Sequence, residues 1–540
     1  MSRATFFLCL IFSLWGMAQD HAWVYFKDKD RVEEALAEPS SFLSERALQK
    51  KSRFNIAIDE RDVPVNEAYI AQLKLQTGIT VRAKSKWFNC AHVVGSIANI
   101  TALMNLQFVD HILYADRSIN GKSALAGGIL MDNHTNKFLE QQADFVYGKS
   151  NTQVKQLRVE VLHRNNFTGD GILIAVLDSG FPNVDQMNAF VRLRSNNDLL
   201  GGYDFVLRST DIYRANVNDH GTRVLSDMAG FVDGEFVGTA PDASYILFRT
   251  EDAATETPVE ESYWVEAAER ADSLGVDIIN SSLGYSTYDD SRYNYSPAEM
   301  DGNTAFISKG ANIATEKGIL IVNSAGNSGD SNWGIITAPA DANVFGVGAV
   351  DENGNYATFS SRGPSSDGRI KPDGMALGER AVVIGPDDRL VPNNGTSFAS
   401  PIMAGAIASF WQAFPQKTNL EIMAMVRRSS SHYQNPNSQM GYGIPDFSLP
   451  LAVLGINESE LDETLWYLFP NPSRSQFQVE LPPTYGSASL SLFDTYGKLI
   501  LQKQITPNNP EITVENLSRA MYIVEVKVDG VRKEFKFIKN

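Results

Sequence analysis

The chain has 540 residues, 43% hydrophobic and 21% charged, an ordinary balance for soluble globular domains and enough length for three or four of them. Its 47 basic and 64 acidic side chains leave a net charge of −17, which disfavours nucleic acid or an anionic membrane as the main partner.

The chain starts MSRATFFLCLIFSLWGMAQD, with a positive Arg3, an apolar run to Trp15 and small residues at Gly16 and Ala18. This pattern predicts a secretory signal peptide over residues 1–18, cut after Ala18. The run is too short for a membrane anchor, and no later stretch is long and apolar enough to span a bilayer. Cys9 sits in mid-run, not behind a small residue at its end, which argues against a lipid anchor. Cys9 leaves with the signal, so Cys90 has no partner and the mature chain is expected to lack an intramolecular disulfide.

Residues 19–145 read as a small α+β unit. AWVYF, ITVRAKSKWFN and FVDHILYAD are predicted strands, with Val81, Ala83 and Ser85 alternating against charged neighbours. VNEAYIAQLKLQ and AHVVGSIANITALMNL carry apolar residues at helical spacing, among them Tyr69, Leu73 and Leu75. The polar stretch MDNHTNKFLEQQADFVYGKSNTQ that follows reads as a loop and an exposed cleavage site.

Residues 146–452 alternate strands with helices. GILIAVLDSG, ASYILFR, VDIINSSLG, GILIVNSAGN and VFGVGAV are continuous apolar runs, as expected of parallel strands buried on both faces. SYWVEAAERADSLG and FISKGANIATEKG are helical patterns between them. The prediction is a doubly wound α/β sheet with functional groups just beyond the strands' C-terminal ends. An acidic linker, residues 453–464, leads to residues 465–540, where six short segments of alternating character predict an all-β sandwich. Tyr522, Val524, Val526 and Val528 are assigned to its inner face and Glu525 and Lys527 to its outer face. Turns are expected at Tyr496-Gly497 and Asp529-Gly530.

Chemistry enters with the stretch NNGTSFASP at residues 393–401. Gly-Thr-Ser marks a turn, and Ser397 reads either as a helix cap or as a nucleophile at a helix mouth. A serine hydroxyl needs a base beside it and an acid to orient that base. Among seven histidines, His220 in NDHGTRV precedes a helical pattern, and Asp178 in VLDSG ends a buried strand. His163 is expected to be structural. The chain order Asp, His, Ser excludes an α/β-hydrolase, which needs Ser before Asp before His and a Gly-x-Ser-x-Gly elbow. Asn327 in SAGNSG is placed to offer its amide to a developing oxyanion, and the N–H of Ser397 offers a second donor. Pro401 is expected in the first helical turn, where its missing N–H costs little.

VLDSG, NDHGTRV, SSLG, SAGNSG and NNGTSFASP, in this order over residues 165–447, resemble the motifs of the subtilisin-like serine endopeptidases. The resemblance implies that Asp178 orients, His220 acts as base then acid, Ser397 is the nucleophile and Asn327 stabilises the oxyanion. It further implies that Ser282, Leu283 and Gly284 pair with extended substrate, sharing a primary specificity pocket with Ala325 and Gly326. No cofactor is implied for the chemistry; structural calcium is compatible with the family, but no site is located by sequence. One departure is Arg223, where the family often has a second histidine. Residues 19–145 resemble a subtilase propeptide, an intramolecular inhibitor. The C-terminal domain resembles the type IX sorting domain of Bacteroidetes-type bacteria, from the Pro470-Asn471-Pro472 entry to the Lys-rich last strand. The implied partners are protein or peptide substrates, the chain's own propeptide and the type IX machinery. The implied location is outside the cell or on its outer surface.

Overall fold

The computed structural model describes residues 19–120, 145–451, 467–469, 473, 475–480, 487–495, 497–506, 511–528 and 531–539. The signal peptide, most of the polar loop, the 453–464 linker, Pro470-Asn471-Pro472, Tyr496 and Asp529-Gly530 lie outside the described residues. Two compact units divide the chain between Ser448 and Leu449.

The first unit begins with β1 (Asp20–Phe26), α1 (Val32–Ala37), α2 (Glu45–Arg53), α3 (Glu67–Lys74), β2 (Ile79–Ser85), β3 (Cys90–Gly95), α4 (Ile97–Ala102) and β4 (Val109–Tyr114). Its antiparallel sheet runs β2-β3-β1-β4. One face, with Ala22, Val24, Phe26, Ala91 and Val93, packs on Ile70 and Leu73 of α3 and Ile100 of α4. The other face presents Trp23, Ala83 and Cys90 to the core of the next domain. Burial on both faces erases the period-2 signal. That is why Cys90–Gly95, buried at all six positions, is a strand although its apolar spacing suggested a helix. The helix expected there is only Ile97–Ala102, capped by Ser96, whose hydroxyl accepts from the Asn99 N–H at 3.2 Å. Leu75, read as one of the apolar residues at helical spacing, caps α3 and is exposed. Cys90 is free and buried, and burial pushes its thiol pKa up.

The same unit continues with α5 (Asn151–Gln156), α6 (Val159–Arg164), β5 (Leu173–Asp178), α7 (Val191–Ser195), β6 (Leu199–Asp204) and α8 (His220–Ala229). A short hairpin follows, β7 (Phe231–Val232) and β8 (Phe236–Val237), then β9 (Ser244–Arg249), α9 (Val259–Leu274), β10 (Ile278–Ser281) and α10 (Phe306–Glu316). Next come β11 (Leu320–Ser324), β12 (Phe345–Val350), β13 (Gly374–Leu377), β14 (Ala381–Ile384), β15 (Leu390–Asn393), α11 (Thr396–Ala413) and α12 (Asn419–Arg428). Seven strands form one parallel sheet in the order β13-β12-β11-β10-β5-β9-β6. The five apolar runs read as strands are all in it; β6 and β13, short and glycine-containing, are additional. Leu173, Ala175, Leu177, Ile279 and Ile321 pack toward α9 and α10, while α8 and α11 lie together, with α11 against β10 to β13. The tail of the stretch read as a polar loop is helical, since α5 starts at Asn151.

The second unit contains β16 (Tyr467–Phe469), β17 (Gln476–Glu480), β18 (Ala488–Asp494), β19 (Leu499–Ile505), β20 (Glu511–Thr513), β21 (Ala520–Val528) and β22 (Val531–Lys539). Two antiparallel sheets, β16-β17-β20 and β19-β18-β21-β22, share one core of Leu468, Phe477, Val479, Leu490, Leu492, Val524 and Val526. Tyr522, Val524, Val526 and Val528 are buried as expected. Glu525 is buried too, contrary to its assignment to an open face, because Lys527 and Arg532 fold over it as ion-pair partners.

Candidate active site

Parallel strands end together, and three of these ends deliver the site. Asp178 is the last residue of β5 and is fully buried. Its Oδ1 accepts from the Ser179 N–H at 2.7 Å and from His220 Nδ1 at 2.8 Å, and its Oδ2 lies 3.0 Å from the same nitrogen. Donors on both sides keep a buried carboxylate solvated by protein. The Thr250 N–H, just past β9, fastens the Asp178 carbonyl at 3.0 Å.

His220 opens α8 and stays partly exposed, at 30% of its side chain. The Asn218 side-chain oxygen accepts its backbone N–H at 2.9 Å and lies 3.0 Å from the Ser179 hydroxyl, which braces the turn before the helix. Burial alone would lower the imidazole pKa. The charge of Asp178 and its hydrogen bond outweigh that and raise it above 6.5. Arg223, the departure at the second basic position, forms an i,i+4 ion pair with Asp219 at 2.7 Å. Asp219 pulls the His220 pKa up and Arg223 pulls it down.

Ser397 is the second residue of α11, behind Gly395, whose φ of 150° suits glycine. The Phe398 ring lies 5.6 Å from the His220 ring, centroid to centroid. The Ser397 hydroxyl donates to the Ser282 carbonyl at 3.3 Å, and the Ser282 hydroxyl donates to the Ser397 carbonyl at 2.9 Å. Pro401 explains the second bond. It is the sixth residue of α11, not in its first turn, and it has no N–H for the carbonyl four residues back. That carbonyl is Ser397's, and Ser282 satisfies it.

Asn327 lies beyond β11 and is exposed. Its Oδ1 accepts from the Thr396 N–H at 2.9 Å and from the Thr396 hydroxyl at 3.0 Å. Because both partners donate, the side-chain oxygen is committed to them, and the amide NH₂ remains as a donor. Ser397 lies one residue past Thr396, in a helical turn whose N–H groups lack intrahelical acceptors. Sequence reasoning named neither Thr396 nor Ser282 as positioning groups, although both belong to its quoted motifs.

Ser282, Leu283 and Gly284 continue β10, and Ala325 and Gly326 continue β11. The Leu283 carbonyl accepts from the Asn323 side-chain amide at 3.0 Å, tying the two segments together. His163 is buried between the Tyr147 hydroxyl at 3.0 Å and the Thr239 carbonyl at 3.1 Å, and burial lowers its pKa to about 4. Both partners lie away from the site, so it is a structural residue.

Among the described residues, Glu251, Glu256 and Glu260 bring carboxylate oxygens within 4.8 Å of one another. Burial, with Asp289 and Glu261 nearby, raises Glu256 to about 7, and burial, with Glu256 and Asp252 nearby, raises Glu260 to about 8. Both Glu260 oxygens accept backbone N–H groups, at 2.9 and 2.8 Å, and Glu251 accepts from the Tyr285 hydroxyl. Glu260 and Glu251 already serve these protein donors, so the set does not offer a ready calcium cage.

Comparison with known proteins decides the family. A model of the Subtilase family matches residues 169–443. The chain belongs to the subtilase family. Its members are serine endopeptidases, so this chain is of that enzyme class. The alkaline elastase YaB of Bacillus sp. (strain YaB) is 30% identical over 293 residues, 54% of this chain and 67% of that protein. Subtilisin Savinase of Lederbergia lenta is 29% identical over 53% of this chain and 92% of its own length. Subtilisin E of Bacillus subtilis (strain 168) is 29% identical, with 66% of its length covered. Among solved structures, the MycP3 protease from the type VII (ESX-3) secretion system is 23% identical, covering 57% of this chain and 92% of that one, with a TM-score of 0.45. A Peptidase S8 propeptide domain described for Bacteroidota matches residues 21–128, and a secretion system C-terminal sorting domain matches residues 467–540. In this subtilase no described helix is long and apolar enough to cross a membrane.

Proposed function

We propose that the chain is the zymogen of an exported endopeptidase that cleaves proteins through an acyl-enzyme. Ser397 Oγ attacks the scissile carbonyl carbon and gives its proton to the far nitrogen of His220, whose near nitrogen Asp178 holds. The Asn327 amide and the Ser397 N–H receive the oxyanion. The C–N bond then breaks, His220 returns the proton to the leaving amine, and water repeats the sequence to free the acid. Ser282, Leu283 and Gly284 align the substrate backbone as an added strand, with Ala325 and Gly326 opposite. Residues 19–145 act as the intramolecular inhibitor until cut ahead of α5, and residues 465–540 direct export through the type IX route.

The observation that carries this reading is the Asp178–His220 hydrogen bond beside a helix that begins at Thr396-Ser397, with Asn327 locked to Thr396. Ser397→Ala tests it. Hydrolysis of casein should fall by about 10⁶ in kcat, the size of this loss in subtilisin, and the precursor should stay uncut. Equal turnover by the variant refutes the assignment. A fluorophosphonate probe should label Ser397 in the wild type and fail in His220→Ala. Labelling without His220 would leave a reactive serine but no triad.

A further inference from the structure

Resting on that reading, we propose that Arg223 is a positioning residue for the general base: it holds the Asp219 carboxylate in an ion pair, and the neutralised pair leaves His220 free of a proton at the pH where it must accept one.

Asp219 stands directly before His220, at the N-cap of α8, where an acidic side chain ordinarily accepts helix N–H groups. Here its side chain makes no cap bond, and Asn218 accepts the His220 N–H instead, at 2.9 Å. The Asp219 carboxylate turns along the helix to Arg223. One of its oxygens receives Nη2 at 2.7 Å and Nε at 3.2 Å, while the Arg223 N–H closes the first turn on the Asp219 carbonyl at 3.2 Å. Two N–H groups of one planar guanidinium thus converge on the carboxylate, a grip that a neutral side chain cannot reproduce. Both side chains are partly covered, Asp219 at 34% exposure and Arg223 at 26%. The guanidinium lies against the turn between β14 and β15: a Cβ on Gly385 would stand 3.7 Å from Arg223 Nη1 and 3.1 Å from Asp387 Oδ1.

An anion beside an imidazole stabilises its protonated form, and a cation opposes it. Asp178 has to sit there, because it holds Nδ1. A second uncompensated carboxylate would keep a proton on the nitrogen that must take one from Ser397. After burial and Asp178, the next charges acting on the imidazole are Asp219, which raises its pKa, and Arg223, which lowers it. Among the described residues, the other titratable groups around them are Glu251 behind Asp178, whose carboxyl burial pushes up, and Asp387, which has its own partner in Arg389. From α11 come only Ser397 and the Phe398 ring, neither of them charged. The balance at His220 therefore turns on the Asp219–Arg223 pair.

The test is the acid limb of kcat/KM on one peptide substrate, which reports the pKa of the free enzyme's base. It is measured on the activated wild type, Arg223→Gln, Arg223→Lys, Asp219→Asn and the double variant Asp219→Asn/Arg223→Gln. Arg223→Gln should move the limb up by roughly half a pH unit and Asp219→Asn down by about as much, the size of one solvent-screened charge a helical turn away. The double variant should return to the wild-type limb, and Arg223→Lys, which keeps the charge, should stay near it. High salt should shrink both single-variant shifts. Single variants that lose rate or thermal stability with the limb in place, that shift it in the same direction, or a double variant far from the wild-type limb overturn the role of the pair and leave the protease reading intact. A wild type that hydrolyses no peptide overturns that reading, and the inference falls with it.

Discussion

The cleft and the surface under the N-terminal domain handle charge in opposite ways. In the cleft, His220 and Asn327 stay open to solvent, and each is steered by one or two hydrogen bonds. Beneath the N-terminal domain, charged groups from both sides are buried together. Lys51 reaches Asp272 of α9 at 2.7 Å, and Lys317, after α10, reaches Asp62 at 2.7 Å and Asp59 at 3.1 Å. Asp62 also pairs with Lys51 at 3.3 Å, and the two lysines outweigh burial and keep its carboxyl acidic. Glu269 accepts from the Lys86 and Trp87 N–H groups and from the Ser85 hydroxyl. Trp23 stacks on Phe306 at 4.5 Å. The contact under the N-terminal domain fits one partner, and a buried charge left without its mate is costly.

The contrast breaks most visibly at Asp178. Asp178→Asn should lower kcat by about 10⁴ by favouring the wrong imidazole tautomer, without moving the thermal midpoint of the precursor; active-site-titrated kinetics and calorimetry check both halves. Under the N-terminal domain the reverse split is expected. Asp62→Ala leaves Lys51 with Asp272 and Lys317 with Asp59 as their remaining acidic partners. It should weaken the hold of that domain by less than about 3–5 kcal/mol, the cost of a fully stranded buried charge, while the processed enzyme keeps its kcat. Dissociation of the cleaved but uncoupled domain measures this. Asn327→Ala should cost about 10²–10³ in kcat with little change in KM; a change confined to KM would count against an oxyanion role.

Smaller effects come from pH. His21 and His92 share a hydrogen bond of 2.9 Å, and the Ser262 hydroxyl lies 2.7 Å from His92. Burial lowers His21 to about 4 and His92 well below 6.5. Their contribution is complete above pH 6.5 and is lost as pH falls toward 4. Burial raises Glu269 to about 7, so its contribution is complete below 4.5 and is lost as pH rises through 7. His92→Gln should flatten the acid limb of precursor stability, and Glu269→Gln the limb between 4.5 and 7. Thermal midpoints over pH 4–8 separate the two.

The candidate site was legible because Asp178 and Asn327 follow apolar runs that break into Gly, Ser or Asn, and His220 and Ser397 stand in turn-forming stretches of Asn, Asp, Gly and Thr. Cys90–Gly95 was not, since burial on both faces of a sheet removes alternation. Glu525 was not, because its cover comes from Arg532 on the next strand. Pro401 was misplaced by one turn, since helix starts are weakly marked in Gly-Thr-Ser.

The paired bonds between Ser282 and Ser397 form a closed ring of contacts across 115 residues of sequence. On the proposed mechanism, the Ser397 oxygen would take its reference from the segment that lines up the peptide and not from His220. A drift of α8 would then slow proton transfer while preserving the distance between hydroxyl and bound carbonyl. A proline in mid-helix, usually a flaw, here leaves one carbonyl unclaimed, and that vacancy couples Ser397 to Ser282.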